Sequence, residues 1–394
     1  MNTSKIELDR AKPGMKLAEP AYATRSSSML VAREGIVLDS DLINRLMYYR
    51  VKTITVFSED EKAPIAFSSI NPIKPSSVKQ MLPPEEDIAP VKPVVSESLK
   101  KEAVDSVRQL FSCFEASQGE IINKTTAYQC VAGIEQVVED LGDVLANNDD
   151  GLVHISNLKS FDEYTYHHSL SVALLSMSTG QELGLGRDDI FKLGCCAMMH
   201  DIGKQMIPLE IINKKGKLTD EEFATIKNHP TLGASTLRNN DMGDAKLWDA
   251  VVSHHEKIDG TGYPKGLQGD DIPLFSKIIS VADVYDAVTS YRSYRNPSVP
   301  SKAFEIIRKD VGTAFDHDVV EAFFAKLEIY PVNTIVKLSD GRMGVVIDCT
   351  SIPERRLRPA IRIWGSKQIE YLAASINRKI NIVDVLSNDV SGGV

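Results

Sequence analysis

Histidine is scarce in this chain and is concentrated in its middle third. Of the eight histidines in 394 residues, six fall between positions 167 and 255. With two aspartates they form a series whose successive members lie about 25 to 32 residues apart: His168, His200-Asp201, His229, His254-His255 and Asp283. This separation is about one helix plus a connection, so successive helices of a bundle can each direct one or two side chains to a common centre. The series favours a helical domain built around a polar site.

The residue types in this series indicate divalent metal ions. Imidazole nitrogens and carboxylate oxygens without cysteine are typical of catalytic iron, manganese, cobalt, nickel or zinc. The segments that carry them, such as LGCCAMMHDIGK, LWDAVVSHHE and IISVADVYDAV, are apolar and would bury them. Burying so many polar groups is costly unless something satisfies them, as a metal cluster would. Seven candidate ligands exceed the needs of one ion, so we expect two ions that share the Asp201 carboxylate.

Composition and charge exclude several other classes of protein. The chain has 45 Lys+Arg against 54 Asp+Glu, a net charge of −9, which argues against binding of a nucleic acid polymer. The N-terminus lacks the apolar stretch of a secretory signal, and no apolar run is long enough for a membrane span. The five cysteines show no zinc-ribbon spacing and are expected to be buried, inert thiols. These features predict a reduced, cytoplasmic protein with no membrane partner.

Changes in composition along the chain predict a mainly α fold with five regions. These are a small α/β accessory domain at 1–60, a Pro-rich linker at 61–96, a helical connector at 97–150, an all-helical catalytic domain at 151–330 and a small β appendage at 331–394. The switch to β structure rests on β-branched segments and on a hairpin signal at Asp340-Gly341. The predicted core of the protein is therefore helical.

One apolar stripe in the connector has two interpretations. Its positions step by four and three: Ala127, Val131, Ile134, Val138, Leu141 and Leu145. The simpler interpretation is a helix that faces the core. A dimerising coiled coil is the alternative, although the stripe is shorter than three heptads. A homodimer is therefore left open.

Several motifs together resemble the HD-GYP domain, a branch of the HD metal-dependent phosphohydrolases. They are YTYHHS at 164–169, HDIGK at 200–204, HHEKIDGTGYPKGL at 254–267 and IISVADVYDAVTSYRSYR at 278–295. The resemblance covers about 155–330, and the first 130 or so residues look more loosely like the accessory domain that often precedes HD-GYP domains. It implies an all-helical domain that hydrolyses the bacterial second messenger cyclic di-GMP to linear pGpG, and in some members on to GMP. It also implies two or three metal ions, commonly iron or manganese.

Carried over position by position, the resemblance assigns roles to individual residues. The metal ligands it implies are His168, His200, Asp201, His229, His254, His255 and Asp283, with Asp201 bridging two ions. Lys204 matches a lysine that touches the scissile phosphate, so Asp201 and Lys204 are the expected catalytic pair. Gly262 and Tyr263, with Pro264, match the loop on the substrate side. Arg292 and Arg295 match basic positions that contact the dinucleotide.

One position departs from the family pattern. Members with a third metal place a glutamate four residues before the first histidine ligand, where this chain has Tyr164. Glu163 lies five residues before His168, which on a helix rotates its side chain about 140° away, whereas four residues would leave it nearly in line. We therefore expect two metal ions rather than three. The same alignment selects His168, immediately before the serine, as the ligand in preference to His167.

Three functions compete at this point. The first is hydrolysis of cyclic di-GMP. The second keeps the metal centre but acts on another nucleotide, which the GYP loop and the two arginines disfavour. The third is a catalytically weak sensor that binds cyclic di-GMP or a signalling protein partner, which the complete ligand set disfavours.

Overall fold

The computed structural model describes most of the chain from Pro93 onwards and shorter stretches before it. The described ranges are 93–117, 122–148, 153–155, 158, 164–290, 298–348 and 357–386, with gaps at 213, 215, 367 and 374–378, and parts of 3–57. The chain divides into two compact units, Met1–Lys74 and Pro75–Val394.

The first unit contains two small antiparallel pairs of strands. Strand β1 (Thr3–Glu7) pairs with β4 (Thr53–Phe57), and β2 (Ala21–Tyr22) pairs with β3 (Leu30–Ala32). Leu17, Leu38, Leu46, Ile54 and Val56 are among the residues of its buried core. The residues of the predicted linker up to 92 lie outside the described residues.

The second unit opens with two helices that pack against each other, α1 (Glu97–Ser117) and α2 (Lys124–Ala146). Helix α2 begins after Asn123, whose side chain accepts a hydrogen bond from the backbone N–H of Thr125. Five of the six positions of the predicted stripe are buried, and Val131 packs against the same core. The interpretation of this stripe as a core-facing helix is confirmed.

The remaining helices build the bundle around the predicted site. They are α3 (Tyr164–Glu182), α4 (Arg187–Met199), α5 (Leu209–Ile212), α6 (Asp220–Ile226), α7 (His229–Asn239), α8 (Ala245–Ser253), α9 (Leu274–Thr289), α10 (Pro300–Lys309) and α11 (His317–Lys326), with 3-10 turns at Ile202–Met206 and Gly269–Asp271. A further 3-10 turn, Leu8–Arg10, belongs to the first unit. Helix α3 is buried on all sides from His168 to Gly180 and packs against α1, α4, α9 and α11. It is therefore the central helix of the bundle.

The C-terminal region forms one antiparallel sheet. Its strands are β5 (Ile335–Leu338), β6 (Met343–Asp348), β7 (Ala360–Ile363), β8 (Ile369–Tyr371) and β9 (Ile382–Leu386), in the order β8-β7-β6-β5-β9. The turn between β5 and β6 contains Gly341 with φ of +88°, a conformation that glycine adopts without strain. The predicted fold class, mainly α with a small β structure at the C-terminus, is confirmed.

The sheet and the helices share one hydrophobic core. Val336, Leu338, Val346 and Ile361 are buried in the same cluster as the side chains of α2, α3 and α9. The boundary predicted at 330 is therefore a change of secondary structure without a break in the core. Among the described helices, none is both long and apolar enough to cross a membrane.

Candidate metal centre

All seven predicted ligands come together, and most of them stand at the ends of helices. His200 and Asp201 follow the last residue of α4, His254 and His255 follow α8, and His229 is the first residue of α7. His168 and Asp283 lie inside α3 and α9, which pack against each other. Three groups of three ligand atoms result, the atoms of each group lying within 4.8 Å of one another, and one of them joins Asp201 to His200 and His254. The other two groups do not contain Asp201. We call His168, His200 and Asp283 the first triad, and His229, His254 and His255 the second triad.

Three of the histidines are oriented by the carbonyl groups that a helix leaves unpaired at its C-terminus. The Nδ1 atoms of these rings donate to the backbone oxygen three residues earlier: His200 to Ala197 at 2.7 Å, His229 to Ile226 at 2.8 Å and His254 to Val251 at 2.6 Å. The last four carbonyls of an α-helix have no partner within the helix, so these bonds satisfy both groups. A carbonyl only accepts, which fixes the proton of each ring on Nδ1. The lone pair on Nε2 therefore faces the centre.

The Nε2 atoms that face the centre cannot hydrogen-bond to one another, because each presents a lone pair and no proton. Nε2 of His229 and Nε2 of His254 lie 3.2 Å apart, and both are acceptors when the rings are neutral. Nε2 of His200 and Oδ1 of Asp201 are buried without a hydrogen-bond partner in the described part of the chain. Buried acceptors that converge in this way are unfavourable unless a cation lies among them. The residues present therefore fit a metal centre.

The carboxylate of Asp201 stands between the two triads. Its Oδ2 is 3.4 Å from Nε2 of His200 and 3.8 Å from Nε2 of His168, whereas its Oδ1 is 3.3 Å from Nε2 of His229. Each oxygen thus faces one triad. Donor atoms bound at about 2 Å to a common ion lie about 3 Å from one another, so these separations suit two ions joined by one carboxylate. This is the arrangement that the bridging role of Asp201 requires.

His168 is oriented by a carboxylate instead of a backbone carbonyl. Its Nδ1 lies 2.6 Å from Oδ2 of Asp286, and its Nε2 lies 3.2 Å from Oδ1 of Asp283. Burial lowers the pKa of His168, but the bonds to Asp283 and Asp286 outweigh it and raise that pKa to about 9. The hydroxyl of Ser290 donates to the other oxygen of Asp286 at 2.9 Å. Sequence reasoning missed Asp286, although its position one turn after Asp283 on α9 is a signal for a residue that supports a ligand.

The second triad has the opposite electrostatic character. Burial lowers the pKa of His255 to about 3, and burial with the neighbouring histidines lowers the pKa of His254 well below its usual range. Both rings are therefore neutral and free to bind metal. Burial alone would raise the pKa of Asp201, but His200 and Lys204 outweigh it and hold that pKa well below its usual range. The shared carboxylate is ionised.

Lys204 lies beside Asp201, in the 3-10 turn that follows α4. Its Nζ donates to Oδ2 of Asp201 at 2.5 Å, and its side chain is about one third exposed. The turn packs closely against α7, because a Cβ atom on Gly203 would collide with the backbone oxygen of His229. The glycine of HDIGK therefore brings Lys204 and the two triads together.

The GYP loop covers the second triad. The ring of Tyr263 stacks on that of His255, with centroids 4.9 Å apart and an interplanar angle of 28°. A side chain at Gly262 would collide with the backbone of Glu256 and Lys257. The buried carboxylate of Glu256 accepts hydrogen bonds from the backbone N–H of Lys265 at 2.6 Å and of Leu267 at 3.0 Å. Glu256 thus holds the loop, a role that sequence reasoning missed although the residue directly follows the paired histidines.

Other predicted residues lie apart from the centre or outside the described residues. Arg292, Arg295 and Glu163 lie outside the described residues. His167 belongs to neither triad, whereas His168 belongs to the first. His317 lies near the exposed side chain of Asp318, at the start of α11.

The part of the chain that contains the candidate metal centre matches a known protein family. The model of the HD domain family matches residues 150–319. A cyclic di-GMP phosphodiesterase of Pseudomonas aeruginosa is 33% identical over 326 residues, which cover 80% of this chain and 75% of the relative. The chain belongs to the HD-GYP family. The predicted family membership is confirmed.

Two further relatives match this HD-GYP chain over shorter regions. A cyclic di-GMP phosphodiesterase of Thermotoga maritima is 39% identical over 168 residues, which are 42% of this chain and 45% of the relative. A 3′3′-cGAMP-specific phosphodiesterase of Vibrio cholerae is 34% identical over 195 residues, which are 50% of this chain and 43% of the relative. In both cases the match spans less than half of the relative.

Proposed function

We propose that this HD-GYP chain is a phosphodiesterase that hydrolyses cyclic di-GMP to linear pGpG in bacterial second-messenger signalling. The observation that carries the proposal is the Asp201 carboxylate, whose two oxygens face two separate triads of imidazole and carboxylate side chains. Relatives that share this domain are named cyclic di-GMP phosphodiesterases. Further cleavage of pGpG to GMP is a separate outcome for the product analysis below.

The two triads and Asp201 would hold two divalent ions. When bound, such ions supply an activated water near neutral pH and offset the charge that develops on the phosphoryl oxygens. The donor set of nitrogen and oxygen without sulfur suits iron or manganese, which we favour. The first triad with Oδ2 of Asp201 would hold one ion, and the second triad with Oδ1 would hold the other. A third ion is not part of the proposal.

The chain's own residues have defined tasks in this reaction. Asp201, with its depressed pKa, stays ionised and links the two triads through its two oxygens. Lys204 is partly exposed at the edge of the centre, where its ammonium can approach the scissile phosphate and stabilise charge on it. Burial, with nearby carboxylates, raises the pKa of Tyr263, so its phenol stays neutral and can stack or donate a hydrogen bond. Gly262 lets the GYP loop pack against the backbone of Glu256 and Lys257. Gly262, Arg292 and Arg295 remain predicted substrate contacts.

The decisive test uses full-length protein purified without oxygen and loaded with iron or manganese. We expect two metal ions per chain and conversion of cyclic di-GMP to pGpG, with the products identified by chromatography. The variant with both His200→Ala and Asp201→Ala should lose metal and activity together. Protein that binds two ions and cyclic di-GMP but releases no product would overturn the proposal in favour of the sensor.

A second substrate has an observation in its favour. One relative with 34% identity is specific for 3′3′-cGAMP. Because both cyclic dinucleotides present the same phosphodiester chemistry to the metal centre, the two should be compared side by side at equal concentration. A higher kcat/KM for 3′3′-cGAMP would replace cyclic di-GMP as the substrate.

The place of action follows from the substrate. We infer that the protein acts in the cytoplasm, where a bacterial second messenger is made and read.

The connector stripe is packed in the core, so it no longer supports a coiled-coil homodimer. A signalling protein remains a predicted partner that pull-down with the full chain would test.

A further inference from the structure

Two lysines stand beside the metal centre, and their surroundings differ. Lys204 is ion-paired with Asp201, whereas the ammonium of Lys227 lies against two aromatic rings. Its Nζ is 4.8 Å from the centre of the Phe223 ring and 5.3 Å from the centre of the Tyr263 ring. In the part of the chain that the structure describes, no carboxylate pairs with Lys227 and no acceptor binds its ammonium. Its N–H donors are therefore available to a ligand.

The position of Lys227 is fixed by the helix before it. Lys227 follows the last residue of α6, and its backbone N–H bonds to the oxygen of Phe223 at 3.0 Å. The first turn of α6 is closed by a capping box in which Thr219 and Glu222 exchange hydrogen bonds. The spacing of four residues places Phe223 and Lys227 on one face of the helix end. The backbone of Lys227 is thus fixed at the end of α6, and its ammonium lies against the two rings.

One continuous surface joins this ammonium to the second triad. The ring of Tyr263 contacts Lys227 and also stacks on His255. Lys227 follows α6 and His255 follows α8, so this ring joins two residues that are far apart in the sequence. A cation over an aromatic face is held more weakly than a cation in a buried ion pair. Lys227 is also half-buried, which strengthens its attraction to an anion relative to a fully exposed lysine. Lys227 therefore offers, at the rim of the second triad, a positive charge suited to a phosphate.

We propose that Lys227 binds the phosphate of the cyclic dinucleotide that is not being cleaved. This inference rests on the proposed function, because a cyclic dinucleotide carries two phosphodiesters and only one can occupy the metal centre beside Lys204. The second phosphate then lies away from the ions and needs its own partner. Lys227 supplies a charged donor at the rim, next to the tyrosine that covers the second triad. It is a substrate-binding residue that the motifs did not indicate.

The test compares a substrate that has two phosphates with one that has a single phosphate. In metal-loaded protein, Lys227→Met should raise KM for cyclic di-GMP about tenfold while kcat changes little, since a charge-assisted hydrogen bond is lost. Hydrolysis of bis(4-nitrophenyl) phosphate, which carries one phosphodiester, should be unchanged. Lys227→Arg should restore KM. Lys217→Met, at an exposed lysine ahead of α6, is the matched control and should behave as wild type.

The outcomes separate this inference from its alternatives. Equal losses with both substrates, or a loss of metal in Lys227→Met, would show that Lys227 acts on the metal centre and would overturn the inference. An unchanged KM for cyclic di-GMP would also overturn it. Wild-type protein that cleaves bis(4-nitrophenyl) phosphate but no cyclic dinucleotide would refute the proposed function itself, and this is seen before any variant is made. Thermal unfolding of each variant checks that the fold is retained.

Discussion

The two triads hold the same number of ligands but differ in charge and in the groups that orient them. The first contains a carboxylate, Asp283, and a second carboxylate, Asp286, orients its His168. The second consists of three imidazoles, and backbone carbonyls orient His229 and His254. Hydrogen bonds to carboxylates raise the pKa of His168, whereas burial lowers the pKa of His254 and His255. One centre therefore combines an acidic half and a neutral half.

This difference has a physical consequence for metal binding. A carboxylate attracts a divalent ion by its charge, so the first triad should bind an ion more tightly than the second. A protonated His168 must, however, lose its proton before its Nε2 can act as a ligand. The second triad offers weaker charge attraction but neutral rings that are ready to bind. Asp201 joins the two halves and should matter to both.

The largest effect is expected at Asp201. Asp201→Ala removes one ligand from each half, and we expect both ions to be lost and kcat to fall by about 10³-fold or more, since several kcal/mol of transition-state stabilisation disappear. Metal content and turnover of the purified variant provide the measurement. Retention of one ion per chain would show that Asp201 serves a single triad.

A smaller and unequal effect is expected when one triad is changed at a time. Asp283→Ala and His255→Ala should each reduce metal content from about two ions to about one, and the former should weaken binding by roughly an order of magnitude more because it removes a charge. Titration against a chelator measures the difference. His167→Ala, at the neighbour of a ligand, is the control and should keep both ions. Equal affinities in the two ligand variants would contradict the contrast between acidic and neutral halves.

A change at Asp286, which orients His168, should have an intermediate effect that is confined to the first triad. Asp286→Asn keeps the shape of the side chain but removes the charge, and we expect metal affinity or kcat to fall by about 10- to 100-fold. Ser290→Ala, which removes only a hydrogen bond to Asp286, should have a smaller effect. If Asp286→Asn released the ion of the second triad instead, the assignment of this carboxylate to the first triad would be wrong.

The smallest effect is expected in the number of protons released when the metal ions bind. With a pKa of about 9, His168 is charged at pH 7 in metal-free protein, whereas His255, with a pKa of about 3, is neutral. Binding of the first-triad ion should therefore release about one proton, and binding at the second triad should release none from His255. Calorimetric titration of chelator-treated protein in buffers with different ionisation enthalpies measures this number. Asp286→Asn should reduce the release, because it removes one of the carboxylates that raise the pKa of His168.

Much of the site could be predicted because ligand identity and helix spacing are local properties of the sequence. The intervals between His168, His200, His229 and His254 correspond to successive helices, and each of these residues is found beside the apolar run that buries it. The stripe of α2 was predictable for the same reason, since a period of 3.6 residues identifies a buried face without its partner. The assignment of a separate β appendage described the strands but not their packing, because shared burial with helices depends on contacts between distant residues.

The sequence by itself determined the helical setting and the family to which the chain belongs, and it predicted the set of candidate ligands. Only the tertiary structure decided which atoms meet: that Asp201 turns one oxygen to each triad, that Asp286 stands behind His168 and that Glu256 holds the GYP loop. It also placed Lys227 against Tyr263. The reason is that the orientation of a side chain depends on hydrogen bonds and packing across helices far apart in the chain, whereas its chemical type is written at its own position.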